Sequence, residues 1–135
     1  MADSLTSDVW LIKSRTNPFP VKGEMSLRDG TVAVTNTDGA SCVESMRSYL
    51  EEQTGQAGLS QRLAQGEEVT VLEFAPADAD ASFPETAGGY IAKIETAGKT
   101  WYVALAYPSG GAITNVMSMS KGRKLARGWK PILGA

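Results

Sequence analysis

The stretch Gly88–Tyr107 constrains the architecture most, because it reads as a long β-hairpin whose register follows from a single turn. With Ala97 and Gly98 at the two central turn positions, Ile94 pairs with Trp101, Ala92 with Val103 and Tyr90 with Leu105 on one face. The other face carries Glu95 opposite Thr100, Lys93 opposite Tyr102 and Ile91 opposite Ala104. One side is nearly all apolar and the other mixed, which is the pattern of an antiparallel sheet with one buried face. A second hairpin repeats this logic around Asp29-Gly30, two residues that tolerate the positive φ angles of a type I′ turn. It pairs Leu27 with Val32 and Met25 with Val34 inside, and Ser26 with Ala33 and Glu24 with Thr35 outside.

The remaining segments are read around these two hairpins. Residues 1–7 form a short flexible polar arm in this reading, and Asp8–Lys13 is the first strand. Ser14–Pro20 is a loop, since its two prolines remove backbone donors and restrict the residues before them. Ser41-Cys42-Val43-Glu44 has the form of a capping box opening a helix from Cys42 to about Gln53, with Val43, Met46 and Leu50 facing inward and Gly55 as the C-cap. Gly58–Gly66 is a second, short helix carrying Leu59 and Leu63 one turn apart. Val69–Phe74 has apolar residues on both faces, as in a central strand or one carrying a bulge. Ala75–Glu85 is a surface loop. Its acids, Asp78, Asp80 and Glu85, lack the glycine and terminal glutamate of a calcium loop, so no metal site is assigned. Pro108–Gly111 is a turn, Ala112–Met117 a last strand, and residues 118–130 a basic C-terminal helix with Leu125 and Trp129 inward and Gly122 against its propensity. The expected class is α+β. Its mostly antiparallel curved sheet or partly open barrel has six to seven strands, a two-helix insertion (41–66) after the third strand and a C-terminal helix, all in one domain spanning 1–135.

Composition narrows the chemistry. The chain has no histidine, which removes Ser-His-Asp and Cys-His catalysis, imidazole proton shuttling and the usual zinc sites. A single cysteine, Cys42, forms no internal disulfide and favours a cytoplasmic location. The Gly110-Gly111 pair is not followed by the Gly-Lys-Ser/Thr of a phosphate loop. No catalytic residue and no cofactor are therefore assigned. The aromatic residues Trp10, Tyr90, Trp101, Tyr102 and Tyr107 are read as core or rim packing rather than a ligand cleft. Charge is distributed unevenly: Lys121, Arg123, Lys124, Arg127 and Lys130 occur without an acid after residue 120, leaving 8 basic against 15 acidic residues, a net −7, before it. Either this tail folds back on the acidic body or it presents a basic patch to an anionic partner.

The element order resembles the pleckstrin-homology-like fold of bacterial proteins. It is carried by the strand Val9–Ile12, the Gly23–Thr35 hairpin and the Ser118–Trp129 segment. In lipid-binding members of that family, basic residues cluster in the first inter-strand loop. Lys13, Arg15 and Lys22 stand there in this chain, without the closely spaced Lys/Arg-x-Arg continuation after Lys22. The expected function is a non-enzymatic interaction module for protein or peptide, with self-association through a sheet face or edge. An alternative is binding of nucleic acid or acidic lipid through Lys121, Arg123, Lys124, Arg127 and Lys130. A small histidine-free enzyme is the remote third reading, and no integral membrane association is expected.

Overall fold

The computed structural model describes residues 4–13, 20–84, 89–106 and 112–134. Seven antiparallel strands form one open sheet: β1 (Ser4–Ile12), β2 (Val21–Arg28), β3 (Thr31–Asn36), β4 (Thr70–Phe74), β5 (Asp80–Ser82), β6 (Ile91–Thr96) and β7 (Lys99–Ala104). Their order is β4-β3-β2-β1-β7-β6-β5. Helices α1 (Glu44–Thr54) and α2 (Leu59–Ala64) follow β3, and α3 (Ala112–Leu133) follows β7. The α+β class, the strand count, the insertion after β3 and the C-terminal helix agree with the sequence reading.

Both hairpins adopt the expected registers. Met25 faces Val34 and Leu27 faces Val32, while Ala92 faces Val103 and Ile94 faces Trp101. Positive φ falls on both central residues of each turn, at 53° and 79° for Asp29 and Gly30 and at 52° and 74° for Ala97 and Gly98. The outermost pair of the second hairpin continues as a hydrogen bond of 3.0 Å from the Leu105 N–H to the Tyr90 carbonyl. Inward residues of the two hairpins meet α1, α2 and α3 in one core that contains Val9, Leu11, Met25, Val34, Leu50, Leu63, Ile94, Val103 and Trp129. A smaller cluster, Ile12, Tyr90, Ile91, Ala104 and Ala106, lies beside half-buried Trp10 and Tyr102.

Four expectations require correction. Ser4–Ser7 is not part of a flexible arm but the first half of β1, paired in register with Met25–Arg28. Ala112–Met117 is not a strand but the opening of α3, whose 22 residues run unbroken to Leu133. Its β-branched residues suggest a strand, but the segment joins the helix that follows it, and propensity yields to that context. The segment 75–85 is not all loop, because a 3-10 turn at Pro76–Asp78 leads into β5, which pairs with β6 through Asp80–Glu95, Ala81–Ile94 and Ser82–Lys93. Finally, α1 starts at Glu44 with Val43 as its N-cap and no side-chain capping bond, so the Ser41–Glu44 box does not form, and Val43 is exposed rather than inward while Met46 and Leu50 are buried. The Pro18-containing part of the first loop, the Pro108–Gly111 turn, Arg15, Glu85 and Tyr107 lie outside the described residues.

A bulge explains the two-faced apolar pattern of β4. Val34 faces Leu72 but Thr35 faces Thr70, so Val71 is an extra residue, and both Val71 and Leu72 are buried. Beyond the bulge, buried Asn36 restores the pairing with its side chain. Its Oδ1 accepts from the Val69 N–H at 2.8 Å, and its Nδ2 donates to the Glu67 carbonyl at 3.1 Å.

Gly122, unfavourable in a helix by propensity, is required by packing. A Cβ there would sit 2.8 Å from Tyr90 Cβ and 3.0 Å from Ala106 Cβ. Gly122→Ala is therefore expected to destabilise the fold by about 1–2 kcal/mol, overpacking outweighing the ~1 kcal/mol of helix propensity gained. Thermal unfolding checks the sign, and a higher midpoint would remove this account of the glycine.

Candidate functional site

Helix α3 turns one stripe to the protein and divides its cations about that stripe. At about 100° per residue, Gly122, Ala126, Trp129 and Leu133 fall on one side, and all four are buried. Lys121 and Lys124 lie on the flank shared with Leu125 and Gly128, whereas Arg123, Arg127 and Lys130 lie on the other. The five sequence-predicted cations therefore form two groups. On the second flank, Lys130 Nζ stands 5.8 Å from the centre of the Phe83 ring, and Arg123 passes 4.0 Å from the Cβ position of Gly89. Lys121, Lys124 and Arg127 are exposed, and among the described residues none of them joins a salt bridge. The tail thus docks through Leu125 and Trp129 while these three charges stay in solvent.

The first flank borders a groove of about 360 Å³ lined by Leu5, Ser7, Lys121, Lys124, Leu125, Gly128 and Trp129. Its floor comes from β1, where Leu5 and Ser7 precede Val9 and Leu11 on the inward face, and from the indole of Trp129. That indole is fully buried, and its Nε1–H donates to Ser7 Oγ at 2.9 Å, satisfying both polar groups. Gly128 leaves the wall open, since a Cβ there would meet nothing within 4 Å. The result is an apolar trough with two ammonium groups on its rim. Such a surface suits a ligand that combines an apolar part with negative charge.

Leu5 and Ser7 were the members that the sequence reading missed. The signal was the alternation Leu5, Ser7, Val9, Leu11, obscured because serine at an inward position reads as solvent-facing. Only the partner Trp129, far along the chain, makes that hydroxyl an interior group.

Elsewhere among the described residues, several titrating groups are shifted by their surroundings. Burial pushes the Cys42 thiol above its ordinary value, with the Arg47 guanidinium pulling partly back, and Sγ donates to the Gly39 carbonyl at 3.2 Å. Tyr49 and Tyr90 are also raised, both chiefly by burial. The Glu67 carboxyl is lowered, first by its hydrogen bond from Arg62, on an exposed surface. Of the acidic segment, Asp78 and Asp80 border an open depression of about 570 Å³ with Glu95 and Lys99, and Asp80 faces Glu95 directly across the strands. Among the described residues no group of three or more Cys, Asp or Glu side chains is placed to hold a metal ion. No helix of the described residues is long and apolar enough to cross a membrane. No family model, curated protein or solved structure matches the chain.

Proposed function

We propose that the chain is a non-enzymatic binding module that takes an acidic polypeptide segment in the groove between α3 and β1, anchored by an apolar side chain. The observation that carries this reading is the apolar floor of half-buried Leu5 and Leu125, backed by buried Trp129, beneath the exposed, salt-bridge-free Lys121 and Lys124. An apolar anchor in a desolvated trough supplies affinity, and rim charges supply orientation and encounter rate. Polypeptide is favoured over nucleic acid because the cations are divided between two flanks of α3 rather than aligned along one track. The acidic remainder of the surface opposes a long polyanion as well. A cytoplasmic location and a place in the pleckstrin-homology-like group belong to the same proposal, resting on the single cysteine and on element order.

The test is fluorescence anisotropy with a labelled synthetic probe, acetyl-Glu-Thr-Leu-Thr-Leu-Thr-Glu-amide. The combined Lys121→Glu and Lys124→Glu variant is expected to weaken binding at least tenfold (about 1.4 kcal/mol or more) with its circular dichroism unchanged. Binding to the unaltered protein is expected to weaken as salt rises from about 50 to about 500 mM. Affinity indifferent to the charge reversal, or tighter binding of a single-stranded oligonucleotide or acidic vesicles, overturns the reading.

A further inference from the structure

Strand β1 has a backbone edge beside this groove that the rest of the described chain does not use. Its pairing with β2 runs from Ser4 to Leu11, but its pairing with β7 covers only Trp10–Ile12. Leu105 and Ala106, which follow β7, lie at a bend; Leu105 stays bonded to Tyr90, and the pairing of β7 with β1 ends at Trp10–Ala104. The direction of each peptide group along β1 follows from two hydrogen bonds. The Thr37 N–H donates to the Lys22 carbonyl at 2.9 Å, so Lys22 and its alternates Glu24 and Ser26 direct their backbone groups to β3. Gly23, Met25 and Leu27 therefore face β1, where they meet Val9, Ser7 and Leu5. From the opposite side, the Leu105–Tyr90 bond turns Leu105 and Val103 toward β6, leaving Ala104 and Tyr102 to meet Trp10 and Ile12. Both routes give one result: the N–H and C=O of Thr6 and Asp8 point away from β2. Among the described residues nothing pairs with them, and both residues are exposed.

We infer that the partner segment binds in extended form, adding a strand to the Ser4–Val9 edge of β1 under the Lys121/Lys124 rim. This rests on the groove reading above and specifies the conformation and side-chain pattern of its ligand. An unpaired edge is a template for strand addition, with backbone hydrogen bonds giving affinity and alternate side chains giving specificity. Leu5 and Ser7 mark the inward side of β1, so every second residue of the incoming segment turns toward Leu125, Trp129 and the two lysines. Those positions take apolar and acidic side chains. The intervening positions lie alongside Thr6 and Asp8 on the solvent face, where Asp8 already stands opposite Glu24, so they take neutral or basic residues. Charge complementarity to the rim selects an acidic partner over a second copy of this chain, because the copy's own edge sequence, Ser4–Val9, holds its one acid, Asp8, on the outward side.

Amide hydrogen exchange of the full chain with and without saturating probe tests the inference. Thr6 and Asp8 are expected to slow at least tenfold, while Leu5, Ser7 and Val9, already bonded to β2, change little. Probes N-methylated at alternate residues are expected to divide into one set weakened about tenfold or more and one set that binds as before. Charge-dependent probe binding without protection of Thr6 and Asp8, with all methylated probes tolerated, overturns strand addition and leaves the groove reading standing. Absence of charge-dependent binding overturns both. Protection of Thr6 and Asp8 that grows with protein concentration in the absence of probe assigns the edge to a second copy and overturns the inference.

Discussion

Replacing Trp129 by alanine is expected to lower stability by about 4 kcal/mol, a drop of roughly 15 °C in the unfolding midpoint for a chain of this size. Two losses combine. The fully buried indole leaves a cavity between β1 and α3, and Ser7 Oγ loses the donor that satisfies it in the interior. Trp129→Phe separates them, since it keeps most of the ring and removes the N–H; about 1–2 kcal/mol is expected. A double-mutant cycle of Trp129→Phe with Ser7→Ala should return a coupling of about 1 kcal/mol. Chemical denaturation measures all four proteins. Additive effects would show that the indole acts through packing alone.

The second large effect is expected at Asn36, whose side chain fastens the approach to β4. Asn36→Ala strands the buried Val69 N–H and frees the Glu67 carbonyl, at a cost of about 2–3 kcal/mol. Hydrogen exchange is expected to quicken in Thr70–Phe74 more than in the β6–β7 hairpin, because β4 lies at the edge of the sheet. Asn36→Asp adds a pH signature. One carboxylate oxygen still accepts from Val69, but the other replaces a donor facing the Glu67 carbonyl, so burial and repulsion raise the folded-state pKa. A raised pKa means that stability is retained below the unfolded value of about 3.9 and lost as pH rises through the folded value. The variant's deficit relative to the parent should therefore be smaller near pH 4 than at pH 7. An equal deficit at both would contradict the role of the Nδ2 donor.

How much was legible in the sequence depended on how local each signal was. The two hairpins were, because a two-residue turn sets the register and every pair after it follows. Gly55 at the end of α1 was equally local, with φ 68° and its N–H on the Glu51 carbonyl at 2.9 Å. The first half of β1 was not, because its inward serine is explained only by Trp129. Likewise β5 has three residues, too few for a pattern, and is a strand only because β6 lies beside it. The beginning of α3 reversed its β-branched propensity, while Gly122, which argued against a helix locally, marks where the helix packs tightly against Tyr90 and Ala106. Of the candidate site, the lysines and the apolar side of α3 could be read from charge and period. Their division between two flanks follows from counting angles, but the groove itself requires β1 to be placed beside them.

The Ser7–Trp129 bond joins positions 122 residues apart, and its consequence is temporal. All seven strands are specified before residue 105, so a chain emerging from the ribosome can assemble most of its sheet while the inner side of β1 still lacks its covering helix. Closing so long a loop carries a large entropic cost that shorter-range contacts must first offset. During that interval Leu5, Val9 and Leu11 lack the apolar cover that α3 provides. Docking of α3, which follows all seven strands in the sequence, is therefore the event that converts an open sheet into a sealed one.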